Sequence, residues 1–407
     1  SPDAFGHSAG LPQILRQSGL DSYIFCRPDP TELTLPSPLF SWQSSDGSSL
    51  PAYRVPFHYN MYQTTVTKKV RGLQSLLPSL GTDEWALFYG VGNHGGGPTK
   101  EQIAAIEQID GLGEVALPFS RLDRFFSAVA DRELPVVTGD LQMNAPGTYT
   151  SHSLIKRLNR QSEAHLLRAE VLDVLATSFG GESYRQLASD APERLQQAWQ
   201  EVCFNHFHDI ICGVAIRSAL DDAVHRYGVA LRTADEVTTE VVRSIARRID
   251  TTGEGETVVV FNPHAFPVVD VGDVELWHDI DKDLWGEPIP LSVTDEEGNE
   301  QRVQRIPTEG RIGDDRVGLR FVASLPSVGW RSWRVHYGRS PAHPIVSPFI
   351  ETSERAIENE HLRIEFPDET GPTSLDVGGP TRLLHKASGL DFLGSGGIEP
   401  AIYIDDT

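Results

Sequence analysis

Three short strings, far apart in this 407-residue chain, combine acidic, imidazole and glycine residues as chemical sites do. The first, SPDAFGHSAG at 1–10, places Asp3 in a Pro-, Gly- and His-flanked turn before a predicted helix. The others are YGVGNHGGGPTK at 89–100 and FNHFHDIICG at 204–213. A carboxylate near an imidazole suits a nucleophile, a proton carrier or a metal ligand. The plainer interpretations are a helix cap for Asp3 and a satisfied helix histidine for His208.

Together with three further blocks, these strings resemble glycoside hydrolase family 38, the zinc-dependent retaining α-mannosidases. The further blocks are LFSWQSSDGSSLPAY (39–53), GTYTSHSLIKRLNRQSEAHLLRAE (147–170) and VVVFNPHAFP (258–267), and all six follow the family's order. The resemblance therefore extends over nearly the whole chain. It implies an exo-acting hydrolase that removes terminal α-linked mannose from glycans and binds one zinc ion per active site.

The resemblance also implies roles for individual residues. Asp3, in the D-x-FGH turn, corresponds to an aspartate that is both nucleophile and zinc ligand, and His208 corresponds to a second zinc ligand. The adjacent Asp209 corresponds to an acid that grips sugar hydroxyls. The remaining candidates for substrate binding are Arg27, Phe5, Tyr59, Asn93 and His94.

A retaining glycosidase needs a second carboxylate, about 5–5.5 Å from the nucleophile, to protonate the leaving oxygen. No matching block places it. Asp140, in VVTGDLQMNAPGTYT, is the first candidate for this acid/base, and Asp46, in SSDGSS, is the second. Asp140 is equally interpretable as a turn residue. Asn93 stands where many relatives carry Asp, so it can hydrogen-bond but cannot transfer that proton.

The resemblance departs from the family at both ends of the chain. The family's other two zinc ligands form a His-x-Asp pair upstream of the D-x-FGH turn, and this chain begins two residues before Asp3. Its last residues, IYIDDT, stand within a block that family members continue. We therefore expect an internal fragment that lacks the N-terminal zinc pair and the C-terminal remainder of a β-sandwich. Such a fragment should bind zinc weakly and turn over little substrate by itself.

Composition narrows the class of partner. A formal net charge of -22 argues against nucleic acid and anionic membrane surfaces, which need a basic footprint, and it is compatible with a neutral glycan. Three cysteines cannot form a disulfide framework, which favours a cytoplasmic location. No apolar run approaches the roughly 20 residues of a membrane span. The sequence leaves open whether the chain forms a homo-oligomer.

Periodicity predicts a multidomain α/β + α + β chain. Residues 1–135 alternate short apolar and amphipathic stretches, which is typical of β-α units around a parallel sheet. This region corresponds to the C-terminal part of a barrel-like β/α catalytic domain. Residues 136–250 predict a bundle of about three helices, matching the family's middle domain, with His208 at the end or a break of the second helix.

Alternating runs punctuated by Gly and Pro predict β-sandwich modules farther on. We expect a small β-sandwich domain over 251–340 and the start of a larger one over 346–407, with a linker at 337–348. Two other functions stay open. One is zinc-dependent deacetylation of a carbohydrate, since Asp and His ligands also suit metal-activated water. The other is a non-catalytic glycan-binding module.

Overall fold

The computed structural model describes residues 2–61, 65–76, 84–92, 96–112, 115–142, 145, 147–187, 190–277, 290–308, 316–340, 351–353, 355–359, 361–366 and 382–393. The chain divides into two compact units, Ser1–Ser244 and Ile245–Thr407. Among the described helices, none combines the length and the apolar character that crossing a bilayer requires.

The first unit contains a four-stranded sheet in the order β1-β3-β2-β4. Its strands are β1 (Tyr23–Phe25), β2 (Leu39–Gln43), β3 (Ser49–Arg54) and β4 (Val136–Thr138). β1 pairs in parallel with β3, and β2 pairs in parallel with β4, as the β-α pattern predicts. β2 and β3, however, form an antiparallel hairpin. The sheet is therefore mixed, because the Asp46-Gly47 turn reverses the chain directly between these two strands.

Four short helices accompany this sheet: α1 (Leu11–Gln17), α2 (Val66–Leu76), α3 (Lys100–Gly111) and α4 (Leu122–Ala128). The start of α3 follows from its sequence, since Thr99 and Gln102 form a reciprocal capping box. The aromatic core of the sheet includes Phe25, Phe40 and Trp42, all fully buried. This core fixes the strand ends from which the candidate site residues extend.

Two of the short apolar stretches within residues 1–135, which the β-α pattern predicts as strands, form no β-ladder in the described residues. They are WALFYGVG, beginning at Trp85, and EVALPF, whose described part begins at Val115. The first segment alternates faces, with Phe88 in one apolar cluster and Leu87 and Tyr89 in another. Its apolar residues are half-buried rather than fully buried. A strand also requires a hydrogen-bonding neighbour, which this segment lacks among the described residues. A closed barrel therefore stays a prediction.

The helical region of the first unit consists of α5 (Ser153–Leu187), α6 (Ala191–Asn205), α7 (His208–Ile211) and α8 (Arg217–Ala246). Three of these helices are long, and side chains join them in pairs. Arg194 of α6 binds Glu240 of α8, and Tyr227 of α8 donates to Asn159 of α5. The predicted break near His208 is present, because α6 ends at Asn205 and α7 begins at His208.

The second unit begins with two antiparallel sheets, in the orders β6-β10-β9 and β5-β11-β7-β8. The strands are β5 (Glu256–Asn262), β6 (Val268–Trp277), β7 (Leu291–Asp295), β8 (Glu300–Gln301), β9 (Val303–Ile306), β10 (Arg316–Leu325) and β11 (Gly329–Tyr337). Residues from both sheets share one apolar cluster, in which the rings of Phe321 and Trp333 lie 5.1 Å apart. Such a shared core is typical of a sandwich.

A third sheet of the second unit is an antiparallel meander in the order β12-β13-β14-β15-β16. Its strands are β12 (Glu351–Thr352), β13 (Ala356–Glu358), β14 (Leu362–Glu365), β15 (Arg382–His385) and β16 (Leu390–Asp391). Most of the predicted linker, at 341–348, lies outside the described residues. The domain limits predicted from sequence stay predictions, while the structural division falls between Ser244 and Ile245.

Candidate active site

The candidate site lies beyond the carboxyl ends of β1 and β3. Arg27 follows β1 by two residues, and His58 and Tyr59 follow β3 by a few. Because the two strands are parallel neighbours, their ends present these side chains at one edge of the sheet. The turn that carries Asp3 is attached to the same edge, since the Cys26 amide donates to the Pro2 carbonyl at 3.0 Å.

The Asp3 carboxylate is the centre of this cluster and has only 14% of its side chain exposed. Arg27 Nε donates to Oδ1 at 2.7 Å, and the Tyr59 hydroxyl donates to Oδ2 at 3.0 Å. His58 Nε2 lies 3.4 Å from Oδ1. Both carboxylate oxygens are therefore held in place, from two different strand ends.

This environment keeps Asp3 ionised. Burial alone acts to raise its pKa, but the nearby His58, Arg27 and Tyr59 outweigh burial and hold the pKa of Asp3 well below its ordinary range. The pKa of Tyr59 is correspondingly raised to about 12, through burial and the adjacent Asp3. At neutral pH the cluster therefore contains a carboxylate, a guanidinium and a neutral phenol.

The α6–α7 break brings His208 to the same carboxylate. His208 Nε2 lies 3.5 Å from Asp3 Oδ2 and 3.6 Å from Asp209 Oδ1. The Phe5 ring meets the His208 ring edge-on, with 6.1 Å between centroids, and the Arg27 guanidinium lies 5.9 Å from the Phe5 centroid. The structure thus brings together six residues predicted from sequence: Asp3, Phe5, Arg27, Tyr59, His208 and Asp209.

His7 is buried beside this cluster and contacts the main chain of Arg27. It is 4% exposed, with Nε2 2.9 Å from the Arg27 carbonyl oxygen and Nδ1 2.9 Å from the Tyr23 hydroxyl. Burial lowers the pKa of His7 to about 4, so the ring is neutral at physiological pH. The histidine of the D-x-FGH turn therefore ties that turn to the strand end carrying Arg27.

Sequence reasoning missed His58. Phe57 and His58 both adopt positive φ angles, of 57° and 66°, and the Nδ1 atom of His58 is buried without a hydrogen-bond partner in the described structure. Its other ring nitrogen is the one near Asp3. The only sequence signal for His58 was its position beside Tyr59. Local propensity gave no signal, because it disfavours two successive left-handed residues without glycine.

The candidates for the general acid are not in this cluster. Asp140 is exposed, and its Oδ1 accepts from the Ala9 amide at 2.6 Å. Asp46 accepts from the Ser48 amide at 3.0 Å and from its hydroxyl at 2.7 Å, as a turn aspartate does. Asn93 and His94 lie outside the described residues. The assignment of Asp140 stays a prediction.

Two atoms of the cluster fit a zinc ion. Asp3 Oδ2 and His208 Nε2 are 3.5 Å apart, which is too long for a hydrogen bond. Two ligands at about 2.0–2.1 Å from a tetrahedral zinc ion lie roughly 3.3 Å from each other, so the observed spacing fits a shared metal. Over the described ranges, no group of three or more His, Cys, Asp or Glu is arranged to hold a metal. Asp3 and His208 therefore fit a zinc ion as two members of a larger set of ligands.

Comparison with known families places the chain in a class of hydrolases. Residues 1–149 match the family model of the glycosyl hydrolases family 38 N-terminal domain. Residues 146–245 match the alpha mannosidase middle domain. The chain therefore belongs to glycoside hydrolase family 38, and the resemblance noted from the sequence is confirmed.

Several curated relatives are α-mannosidases. Alpha-mannosidase 2C1 of Mus musculus is 29% identical over 233 residues, covering 56% of this chain and 22% of the relative. Alpha-mannosidase G of Dictyostelium discoideum is 29% identical over 249 residues, covering 60% of this chain and 22% of the relative. The chain thus spans about a fifth of the length of the curated relatives that it matches.

Solved structures show the same fold. An alpha-mannosidase from Enterococcus faecalis V583 superposes with a TM-score of 0.69 at 19% identity, covering 96% of this chain and 48% of that one. A second protein in glycosyl hydrolase family 38 from Enterococcus faecalis gives a TM-score of 0.63 at 17% identity, covering 95% and 45%. The mixed α/β architecture with several sheets is therefore that of family 38.

Proposed function

We propose that this chain supplies the nucleophile of a retaining exo-α-mannosidase that hydrolyses terminal α-linked mannose from glycans. The observation that carries the proposal is the Asp3 carboxylate, which is largely buried, ionised and held at both oxygens by Arg27 and Tyr59. Family membership and the α-mannosidase relatives supply the substrate class. The net charge of -22 suits a neutral sugar rather than an anionic one.

In the first step, an Asp3 oxygen forms a bond to the anomeric carbon while the bond from that carbon to the leaving oxygen breaks. The leaving oxygen takes a proton from a general acid, for which Asp140 remains the proposed residue. In the second step, water attacks the anomeric carbon, gives its proton to the same group, and Asp3 departs. The product keeps the anomeric configuration of the substrate.

The surroundings of Asp3 favour the second step in particular. A carboxylate with a low pKa is a weak base and therefore a good leaving group. As Asp3 departs from the sugar, its returning negative charge meets the Arg27 guanidinium and the Tyr59 hydroxyl, which are already in place. Phe5 provides an apolar wall for the sugar ring, and Asp209 accepts hydrogen bonds from sugar hydroxyls.

We further propose Asp3 and His208 as two ligands of a catalytic zinc ion. When bound, zinc would supply positive charge beside the carboxylate and further contacts for sugar hydroxyls. Catalytic zinc sites have three protein ligands as a rule, so the pair requires a further ligand.

Trapping of the covalent intermediate tests the proposal. Because we expect little turnover from residues 1–407 alone, the chain is joined to the family's upstream His-x-Asp segment for this test. The protein is then incubated with an activated fluoro-sugar of mannose configuration, digested and analysed by mass spectrometry. We expect one glycosyl adduct, on the peptide containing Asp3, and none in Asp3→Asn. Asp21→Asn, which removes an exposed carboxylate outside the cluster, is the matched control and should be labelled like the wild type.

The stereochemistry of the product provides a second test. Nuclear magnetic resonance of early product from an aryl α-mannoside should show the α-anomer first. An adduct on another residue, or initial release of the β-anomer, would contradict the proposal. Release of acetate from an N-acetylated sugar would instead indicate a deacetylase, and sugar binding with no turnover would indicate a glycan-binding module.

A further inference from the structure

Lys69 is a buried cation close to the Asp3 cluster. It lies on the inward face of α2 together with Val66, Val70 and Leu73, and only 2% of its surface is exposed. Its ammonium donates to the carbonyl oxygen of His58 at 2.6 Å and to that of Phe88 at 3.2 Å. Both partners are main-chain atoms without formal charge.

Burial of an ammonium group opposes its charged state. Loss of hydration lowers the pKa of Lys69 to about 8. An apolar residue would fit the pattern of its neighbours on α2 without this cost. The hydrogen bonds to the two carbonyl oxygens therefore offset the loss of hydration of the Lys69 ammonium.

The main chain that Lys69 holds is strained. Phe57 and His58, three and four residues after the end of β3, both occupy the left-handed region, with φ of 57° and 66°. Residues with a Cβ rarely adopt this conformation, and two in succession persist only where the surroundings hold them. One of the contacts that hold them is the bond from Lys69 to the His58 carbonyl.

A second contact from the same helix reaches the preceding residue. Gly72 stands one turn after Lys69, and a Cβ built on it would lie 2.6 Å from the tip of the Phe57 ring. The Phe57 ring thus occupies the space left by the missing side chain. Helix α2 therefore fixes two successive loop residues, Phe57 through Gly72 and His58 through Lys69.

The loop after β3 that α2 holds in place carries two groups that face Asp3. His58 Nε2 is 3.4 Å from Asp3 Oδ1, and the next residue, Tyr59, donates its hydroxyl to Oδ2 at 3.0 Å. We propose that Lys69 is a positioning residue of the Asp3 site, which holds the His58 carbonyl so that His58 and Tyr59 are directed at the carboxylate. The kinetic test of this role of Lys69 rests on the proposed nucleophilic role of Asp3.

The test compares Lys69→Met with Lys68→Met in the full chain. Lys68 is the exposed neighbour on the same helix, so it controls for loss of one lysine from α2. The first readout is the resonance of the His58 ring in protein with carbon-13-labelled histidine, assigned by its loss in His58→Gln. We expect this resonance to move in Lys69→Met and to stay in place in Lys68→Met, while the His7 resonance stays in place in both.

The second readout is kinetic. With an aryl α-mannoside, kcat should fall on the order of 10- to 100-fold in Lys69→Met with little change in KM, because the carboxylate would be misplaced while the sugar contacts remain. The kinetic assay uses the chain joined to the family's upstream His-x-Asp segment, and wild-type protein without turnover in that form would count against the proposed function. The His58 resonance would then decide the role of Lys69 independently.

Gly72→Ala provides a variant that does not depend on removing the buried cation. Alanine favours the helix, so α2 should still form, but its methyl group displaces the Phe57 ring. We expect the His58 resonance to move as it does in Lys69→Met. An unmoved resonance in both variants, with thermal melting showing that each is folded, would overturn the proposal.

Discussion

Arg27 approaches Asp3 through Nε, which donates to Oδ1 at 2.7 Å. Within the described residues, the terminal nitrogens of Arg27 make no hydrogen bond, and its guanidinium lies 5.9 Å from the Phe5 centroid. The side chain can therefore hold the carboxylate with one nitrogen and meet a sugar hydroxyl with another. A lysine ammonium, which is a single point charge, cannot do both.

Arg27→Lys should therefore lower kcat/KM for an aryl α-mannoside by about 10- to 100-fold, the usual effect of losing a hydrogen bond to a charged group. Arg16→Lys, at an exposed position of α1, is the control and should match the wild type. Full catalytic efficiency in Arg27→Lys would mean that Arg27 has only a surface role.

His208 and Asp209 are adjacent in sequence but should separate functionally. His208→Ala removes the imidazole nitrogen that lies 3.5 Å from Asp3 Oδ2, so zinc affinity should fall at least about tenfold. Asp209→Ala should keep its zinc affinity and raise KM instead. Competition with a chelating indicator measures the metal, and equal affinity in His208→Ala and wild type would return His208 to a structural role.

Gly213 and Gly228 should respond in opposite ways to alanine. Gly213 has φ of 80°, and a Cβ there would lie 2.7 Å from the Ser151 carbonyl oxygen, so Gly213→Ala should cost about 1–3 kcal/mol. Gly228 lies inside α8 with open space around it, and Gly228→Ala should add up to about 1 kcal/mol. Calorimetric melting of both variants tests the pair, and equal shifts would contradict this account.

His7 should make stability depend on pH. Its pKa is lowered from 6.5 to about 4 in the folded chain, so between these values the unfolded chain binds a proton that the folded chain does not. The contribution is complete above pH 6.5 and is lost as the pH falls toward 4, by an amount on the order of 3 kcal/mol.

Urea unfolding at about pH 7 and about pH 4.5 measures this loss. His7→Gln should flatten the dependence on pH, and the exposed His225→Gln should leave it unchanged. A steep loss that persists in His7→Gln would assign it to other groups.

Local patterns predicted much of the framework. The parallel pairs of the sheet, the helix break at His208 and the antiparallel sheets of the second unit were all predicted from periodicity and from Gly and Pro positions. The helix predicted after Ser153 was also correct. Its apolar residues differ in burial, however: Ile155 and Leu166 are buried, whereas Leu167 and Val174 are more than half exposed. Apolar spacing identifies the helix but not the width of its covered face.

The parts that could not be predicted depend on distant contacts. Whether the segment at Trp85 becomes a strand depends on a neighbour that the segment itself does not encode. The left-handed backbone at His58 contradicts local propensity, and it exists because α2 supplies Lys69 and Gly72. Asp46 was the second candidate for the general acid because of its position in SSDGSS, whereas its contacts with Ser48 are those of a turn.

The contact between Asp3 and His208 joins residues about two hundred positions apart in the chain. Closing so long a loop is entropically costly, and contacts of high sequence separation slow folding. During synthesis, Asp3 leaves the ribosome long before His208 has been added to the chain. The secondary structure of each region can therefore form first, and the chemistry of the chain becomes available only when the last helices have docked.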